Sequence, residues 1–162
     1  MHGEVLSAPF TCNEITDALF SMDKNASPGP DGFGPSFYIS FWQTIRCEVQ
    51  RFFSEFHAGS RAVDGINRAH LVLHPKKECV LSPPNFIPIS LQNCPMKLAT
   101  KVMANWLRTV ITELVDMNQT GFIHRRCIAE NFIFAADILN CCYKRRALIA
   151  VLKLDFKKRS TP

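Results

Sequence analysis

Two kinds of residue in this 162-residue chain are placed where chemistry could be done: one carboxylate that suits a metal ion, and basic side chains in turns that suit phosphate. The carboxylate is Asp155. It follows Ala147-Leu148-Ile149-Ala150-Val151-Leu152-Lys153-Leu154, an apolar run entered from the basic turn Lys144-Arg145-Arg146, and the run reads as a buried central strand. A strand end holds its side chain rigidly, as a metal ligand must be held; the plainer alternative is an Asp that only closes a strand. Lys76, Lys77, Arg125 and Arg126 stand in turns, with Lys144-Arg145-Arg146 behind them. A further candidate is the stretch Asn25-Ala26-Ser27-Pro28-Gly29-Pro30-Asp31-Gly32-Phe33-Gly34-Pro35, where three prolines and three glycines forbid helix or strand. Its turns at Pro28, Gly29, Asp31 and Gly32 would present backbone N–H groups in a stiff arc to phosphates, or would simply link two helices. His70 and His74 are four apart on an expected strand, hence about 13 Å from each other, too far for a shared zinc ion.

Those residues need elements to position them. Thr11-Cys12-Asn13-Glu14 has the form of a capping box, and Ile15, Ala18, Leu19 and Met22 follow at helical spacing, so a short helix is expected to end near Asp23. From Ser36 a single long helix is expected, with Phe37, Tyr38, Phe41, Trp42, Ile45, Val49, Phe52, Phe53 and Phe56 on one packing face and Gly59 as its stop. Ala69–His74 and Asn85–Leu91 read as strands of a hairpin with lysines near its tip, and Pro88 marks one side as an edge. Asn93-Cys94-Pro95 opens a helix that keeps the 3.6-residue period to about Asp116, and a last helix is expected from Ile128 to Cys142. Helix, basic turn and buried strand would then form half of a βαβ-like unit.

Composition bounds the rest. At 47% hydrophobic and 10% aromatic, the chain supports a real core in one domain. The net charge of +5 points to a polyanionic partner or to an ordinary solvated surface. Seven cysteines, an odd number with no CxxC pair, fit neither a disulfide framework nor a zinc ribbon, so reduced thiols and an intracellular place, nuclear or cytoplasmic, are expected. The N-terminus lacks the pattern of a signal peptide, and no apolar run approaches the roughly 18 residues of a membrane span, so no membrane partner is expected.

Pro28-Gly29-Pro30-Asp31-Gly32-Phe33 with Phe37-Tyr38 and Phe41-Trp42, Leu73-His74-Pro75-Lys76-Lys77, Pro88-Ile89-Ser90-Leu91, and Lys97, Lys101-Val102, Ala104-Asn105 and Leu107 follow one another in order. Together they resemble reverse transcriptases of LINE-type (non-LTR) retrotransposons, most of all those abundant in plant genomes. Gln119-Thr120-Gly121-Phe122-Ile123 with Arg126, Ile128 and Asn131, and then Leu152-Lys153-Leu154-Asp155-Phe156, extend the resemblance over nearly the whole chain.

The resemblance implies an α/β (α+β), helix-rich, truncated part of a right-hand polymerase. Residues 1–24 would be an N-terminal helical segment, and 25–162 a partial reverse transcriptase domain comprising the fingers and the first palm strand. Asp155 matches the first catalytic, metal-binding aspartate of a site that holds two Mg²⁺ ions. Lys76 matches the lysine that meets the incoming nucleotide's triphosphate, and Pro28, Gly29, Asp31, Gly32, Lys77, Arg125 and Arg126 would contact nucleic acid. The intact family's partners are an RNA template, a DNA primer and deoxynucleotides.

Departures from the family pattern are specific. Ile87 stands where the family has Arg, His74 replaces an apolar residue, His124-Arg125 replaces a Pro-Gly turn, and Arg159-Ser160-Thr161 replaces the segment bearing the aromatic sugar gate. No Tyr-x-Asp-Asp occurs in the 162 residues. The expectation is an inactive remnant of an RNA-directed DNA polymerase. Two alternatives stay open: a weak, sequence-independent RNA- or DNA-binding module, and a pseudogene product without function.

Overall fold

The structure, a computed structural model, describes residues 3, 6–60, 63, 65–78, 82–152 and 154. In order, these form α1 (Cys12–Phe20), α2 (Pro35–Ser40), α3 (Trp42–His57), β1 (Ala69–Pro75), β2 (Phe86–Gln92), α4 (Cys94–Leu114) and α5 (Ile128–Lys144). Two compact units divide the chain, Met1–Val110 and Ile111–Pro162.

The first unit is built on the capping box. The Thr11 backbone N–H donates to Glu14 Oε2 at 2.9 Å, and the Glu14 N–H donates to Thr11 Oγ1 at 3.3 Å, so two of the donors that a helix start leaves unpaired are satisfied reciprocally. α1 then buries Ile15, Ala18 and Leu19. They meet Trp42, Val49, Phe52 and Phe53 of α3 and Met96, Leu98, Ala99 and Val102 of α4 in one core. Burying a side chain such as Leu19 or Leu98, each at 0% exposure, contributes about 1.5–3 kcal/mol. Phe10 closes one end of this core: it stacks on Trp106 with centroids 4.6 Å apart and meets Phe53 edge-on at 5.1 Å.

The single helix expected from Ser36 is interrupted. Phe41 leaves helical geometry at φ −101° and ψ 14°, although its N–H still donates to the Phe37 carbonyl and its own carbonyl accepts from Ile45. The aromatic stripe explains the break, because its residues serve two places. Trp42, Phe52 and Phe53 enter the core, while Phe41, 52% exposed, lies 4.9 Å from Phe37, which lies 4.5 Å from the exposed Phe33.

β1 and β2 pair antiparallel, and every residue from Ala69 to Pro75 is exposed. In the second unit, α5 runs two residues beyond the expected Cys142 and buries none of its side chains. The strand expected over Ala147–Phe156 requires correction. Residues 147–152 and 154 are exposed and carry no strand, so among the described residues the half βαβ-like unit does not form. A strand exists by pairing, and the two strands among the described residues pair with each other. Asp155, Lys153 and the tail from Phe156 to Pro162 lie outside the described residues.

Candidate nucleic-acid interface

The hairpin puts its lysines at its far end. The Lys76 N–H donates to the Asn85 carbonyl at 2.9 Å, which closes the ladder, and Lys76 Nζ donates to the Pro84 carbonyl at 3.0 Å. One of three ammonium donors is engaged there, on an exposed side chain beside an exposed Lys77. Below the tip, side chains alternate between faces: His70, Val72 and His74 stand opposite Leu91, Ile89 and Ile87, while Leu71 and Leu73 oppose Ser90 and Pro88. His74 and Ile87 are thus direct cross-strand partners. Two residues that the sequence singled out separately thus meet in one pair whose β-carbons stand about 5 Å apart.

The Pro-Gly loop is fixed, and its fixing uses two of the backbone N–H groups that were expected to face phosphate, those of Asp31 and Gly32. The Asp31 N–H donates to Asn93 Oδ1 at 3.1 Å, the Gly32 N–H to the Gly29 carbonyl at 3.1 Å, and the Phe33 N–H to Asp31 Oδ1 at 3.0 Å. Gly32 has φ +78°, a conformation glycine takes without strain. Gly29 is required for a different reason: a β-carbon there would stand 2.4 Å from the Asn93 nitrogen and from the Gln92 carbonyl carbon. Lys97 Nζ, one helical turn beyond Asn93, donates to the Ser27 carbonyl at 2.5 Å. Pro28 is exposed and Gly29 buried.

Burial and charge act on the groups beneath this loop. Desolvation pushes the Tyr38 phenol up to about 12, with the nearby Cys94 and Asp31 adding to it. Desolvation likewise drives the Cys94 thiol up to about 11, opposed by Lys97 and assisted by Asp31. Cys94 is therefore a buried, protonated thiol at neutral pH, not a nucleophile. All six described cysteines are free. Glu14 shows the opposite balance: burial raises its carboxyl, but hydrogen bonds from the Thr11 hydroxyl and N–H and from Trp106 outweigh that and hold it below the ordinary carboxylate value. The Trp106 indole reaches Glu14 Oε1 at 2.7 Å.

In the second unit the two arginines have different fates. The Arg126 guanidinium turns inward onto four backbone carbonyls, those of Asp116 at 2.5 Å, Gln119 at 2.8 Å, Val115 at 3.2 Å and Thr112 at 3.3 Å. It terminates α4 by satisfying acceptors that the helix end leaves unpaired, where a positive charge also meets the negative end of the helix dipole. Asn131 joins it by donating to the Asn118 carbonyl at 2.7 Å. Arg125 is exposed and left-handed, with φ +66°. That is a conformation glycine adopts freely and other residues at a cost.

The hairpin lysines and the loop are thus both placed, while Arg126 is committed to structure. Among the described residues, no group of three His, Cys, Asp or Glu side chains stands close enough to hold a metal ion, and Asp155, the residue expected to hold Mg²⁺, lies outside them. No helix of the described residues is long and apolar enough to cross a membrane. Sequence reading missed Asn93, whose carboxamide bonds segments 62 and 27 residues away, and the surface ladder Phe33-Phe37-Phe41. An Asn between strand and helix resembles a helix cap; only the demand for Gly at position 29 hinted at a close approach.

No protein-family model matches the chain. It is 30% identical over 155 residues, 96% of its length, to the Transposon TX1 uncharacterized 149 kDa protein of Xenopus laevis. The chain spans 12% of that relative's length. A similarity this continuous gives the chain a transposon origin.

Proposed function

We propose that these residues are the fingers segment of a non-LTR retrotransposon reverse transcriptase, and that on their own they bind nucleic acid without copying it. The observation that carries the binding is the pair Lys76-Lys77 at the tip of an exposed hairpin, where a flexible ammonium meets phosphate as a point charge. The transposon-encoded relative, matched over 96% of the chain, supports the ancestry.

The same hairpin supports the absence of copying. Ile87 offers no charge or donor where the family pattern has Arg, and the His74 opposite it is not the planar, bidentate fork that an arginine presents to a triphosphate. The two-ion chemistry of the intact family needs several converging carboxylates, and the motif match supplies one of them, Asp155.

Binding through phosphate releases counterions, so it must weaken with salt and ignore sequence. Fluorescence anisotropy with a single-stranded RNA and a scrambled RNA of equal length tests this. The expected result is equal affinity for both, and a log–log salt slope that loses about 0.7 for each lysine removed in Lys76→Ala and Lys77→Ala. A salt-independent affinity, or one indifferent to both lysines, would refute the reading.

A further inference from the structure

The root of the hairpin is governed by one side chain. Asn93 follows the last residue of β2, is 6% exposed, and uses the two ends of its carboxamide on different segments. Its Oδ1 accepts from the Asp31 N–H at 3.1 Å, and its Nδ2 donates to the Ile66 carbonyl at 3.0 Å. That carbonyl also accepts from the Arg68 N–H at 2.8 Å, one residue before β1 begins. One amide therefore ties the Pro-Gly loop to the residues entering β1 and leaving β2. Gly29 adds a steric contact to the polar one, since its bare α-carbon is what lets the loop lie against Gln92 and Asn93.

We infer that Asn93 is a positioning residue that couples the Pro-Gly loop to the pose of the hairpin, and through it to how the tip lysines meet a polyanion. The inference rests on the reading that those lysines contact nucleic acid. Leverage makes the coupling matter. From Ala69 to Pro75 the strand runs about 20 Å, so a tilt of about 5° at the root carries the tip about 2 Å, enough to move an ammonium out of contact with a phosphate. The hairpin needs this anchor because β1 is exposed throughout, so burial does little to hold it further out.

Two variants separate the bonds. Asn93→Asp keeps an acceptor for Asp31 and replaces the donor to Ile66 with an oxygen; Gly29→Ala drives a β-carbon into the root while leaving the amide intact. Hydrogen exchange of the free chain gives a readout independent of any ligand. For Asn93→Asp, amides of β1 and β2 are expected to exchange about tenfold faster, while those at Phe53 and Val102 keep their protection. Anisotropy with a 20-nucleotide single-stranded RNA gives the second readout, where both variants are expected to bind several-fold more weakly at a temperature at which each retains the parent's helical circular-dichroism signal. Unaltered exchange in the hairpin, or equal acceleration in hairpin and helical core, would overturn the coupling. If Lys76→Ala leaves RNA affinity unchanged, the nucleic-acid reading fails, and the exchange comparison still decides whether Asn93 sets the hairpin's pose.

Discussion

α4 and α5 look alike in sequence and behave differently in the structure. Both are long and apolar, yet α4 buries Met96, Leu98, Ala99, Val102 and Val110, whereas α5 buries nothing and exposes Phe132 at 70%, Ile133 at 62% and Phe134 at 61%. The difference lies in where the apolar residues fall. In α4 they form a stripe that α1 and α3 complement; in α5, Phe132, Ile133 and Phe134 are consecutive and spread around the helix. An apolar pattern specifies what a helix needs to bury, and burial follows only where another element offers a matching face.

The largest effect is expected from truncating matched positions. Leu98→Ala should lower unfolding stability in urea by about 3 kcal/mol, because it empties a filled site, while Phe134→Ala should change it by less than about 0.5 kcal/mol. Equal effects would break the contrast between the helices. Next comes Arg126→Ala, which should cost about 1–2 kcal/mol by freeing four carbonyls, measured as faster hydrogen exchange at the end of α4 with little change at Leu19.

Thr11→Ala should cost about 1 kcal/mol and should also change the response to acid. The folded chain holds Glu14 ionised more firmly than the unfolded chain does, so this group contributes stability that is present at neutral pH and lost as pH falls through its lowered folded value. The variant should therefore lose less on acidification than the parent chain. At alkaline pH the sign reverses. Cys94 and Tyr38 hold their protons more tightly folded than unfolded, so stability should fall from about pH 9, the ordinary thiol value, through the raised values near 11 and 12. Cys94→Ala, compared with the parent across that window, should flatten the first part of the decline. The smallest effect runs the other way: Arg125→Gly should stabilise the second unit by about 0.5 kcal/mol, read as slower exchange of the Arg126 amide, because it relieves a left-handed backbone at some cost in glycine entropy.

What was legible in the sequence was local. The Thr11–Glu14 box, the hairpin and the start of α4 follow from neighbours three or four residues apart or from alternation, and the structure places all three where they were expected. What was hidden depends on partners far along the chain. The Trp106 indole selects Glu14 across 92 residues, Asn93 reaches Asp31 across 62, and no periodicity encodes either. Arg126 was hidden in another way, since its four carbonyl partners at the end of α4 have no signature in the sequence. The run Ala147–Leu152 misled because propensity favours a strand, whereas a strand requires a partner.

The central claim, that these residues hold nucleic acid but do not copy it, is met most directly by one assay. The purified chain is mixed with oligo(dT)-primed poly(A) RNA, deoxythymidine triphosphate and Mg²⁺, and both complex formation and primer length are followed in the same sample. Salt-sensitive binding with no lengthening of the primer is the predicted result. Template-dependent extension that disappears in Asp155→Asn would contradict it.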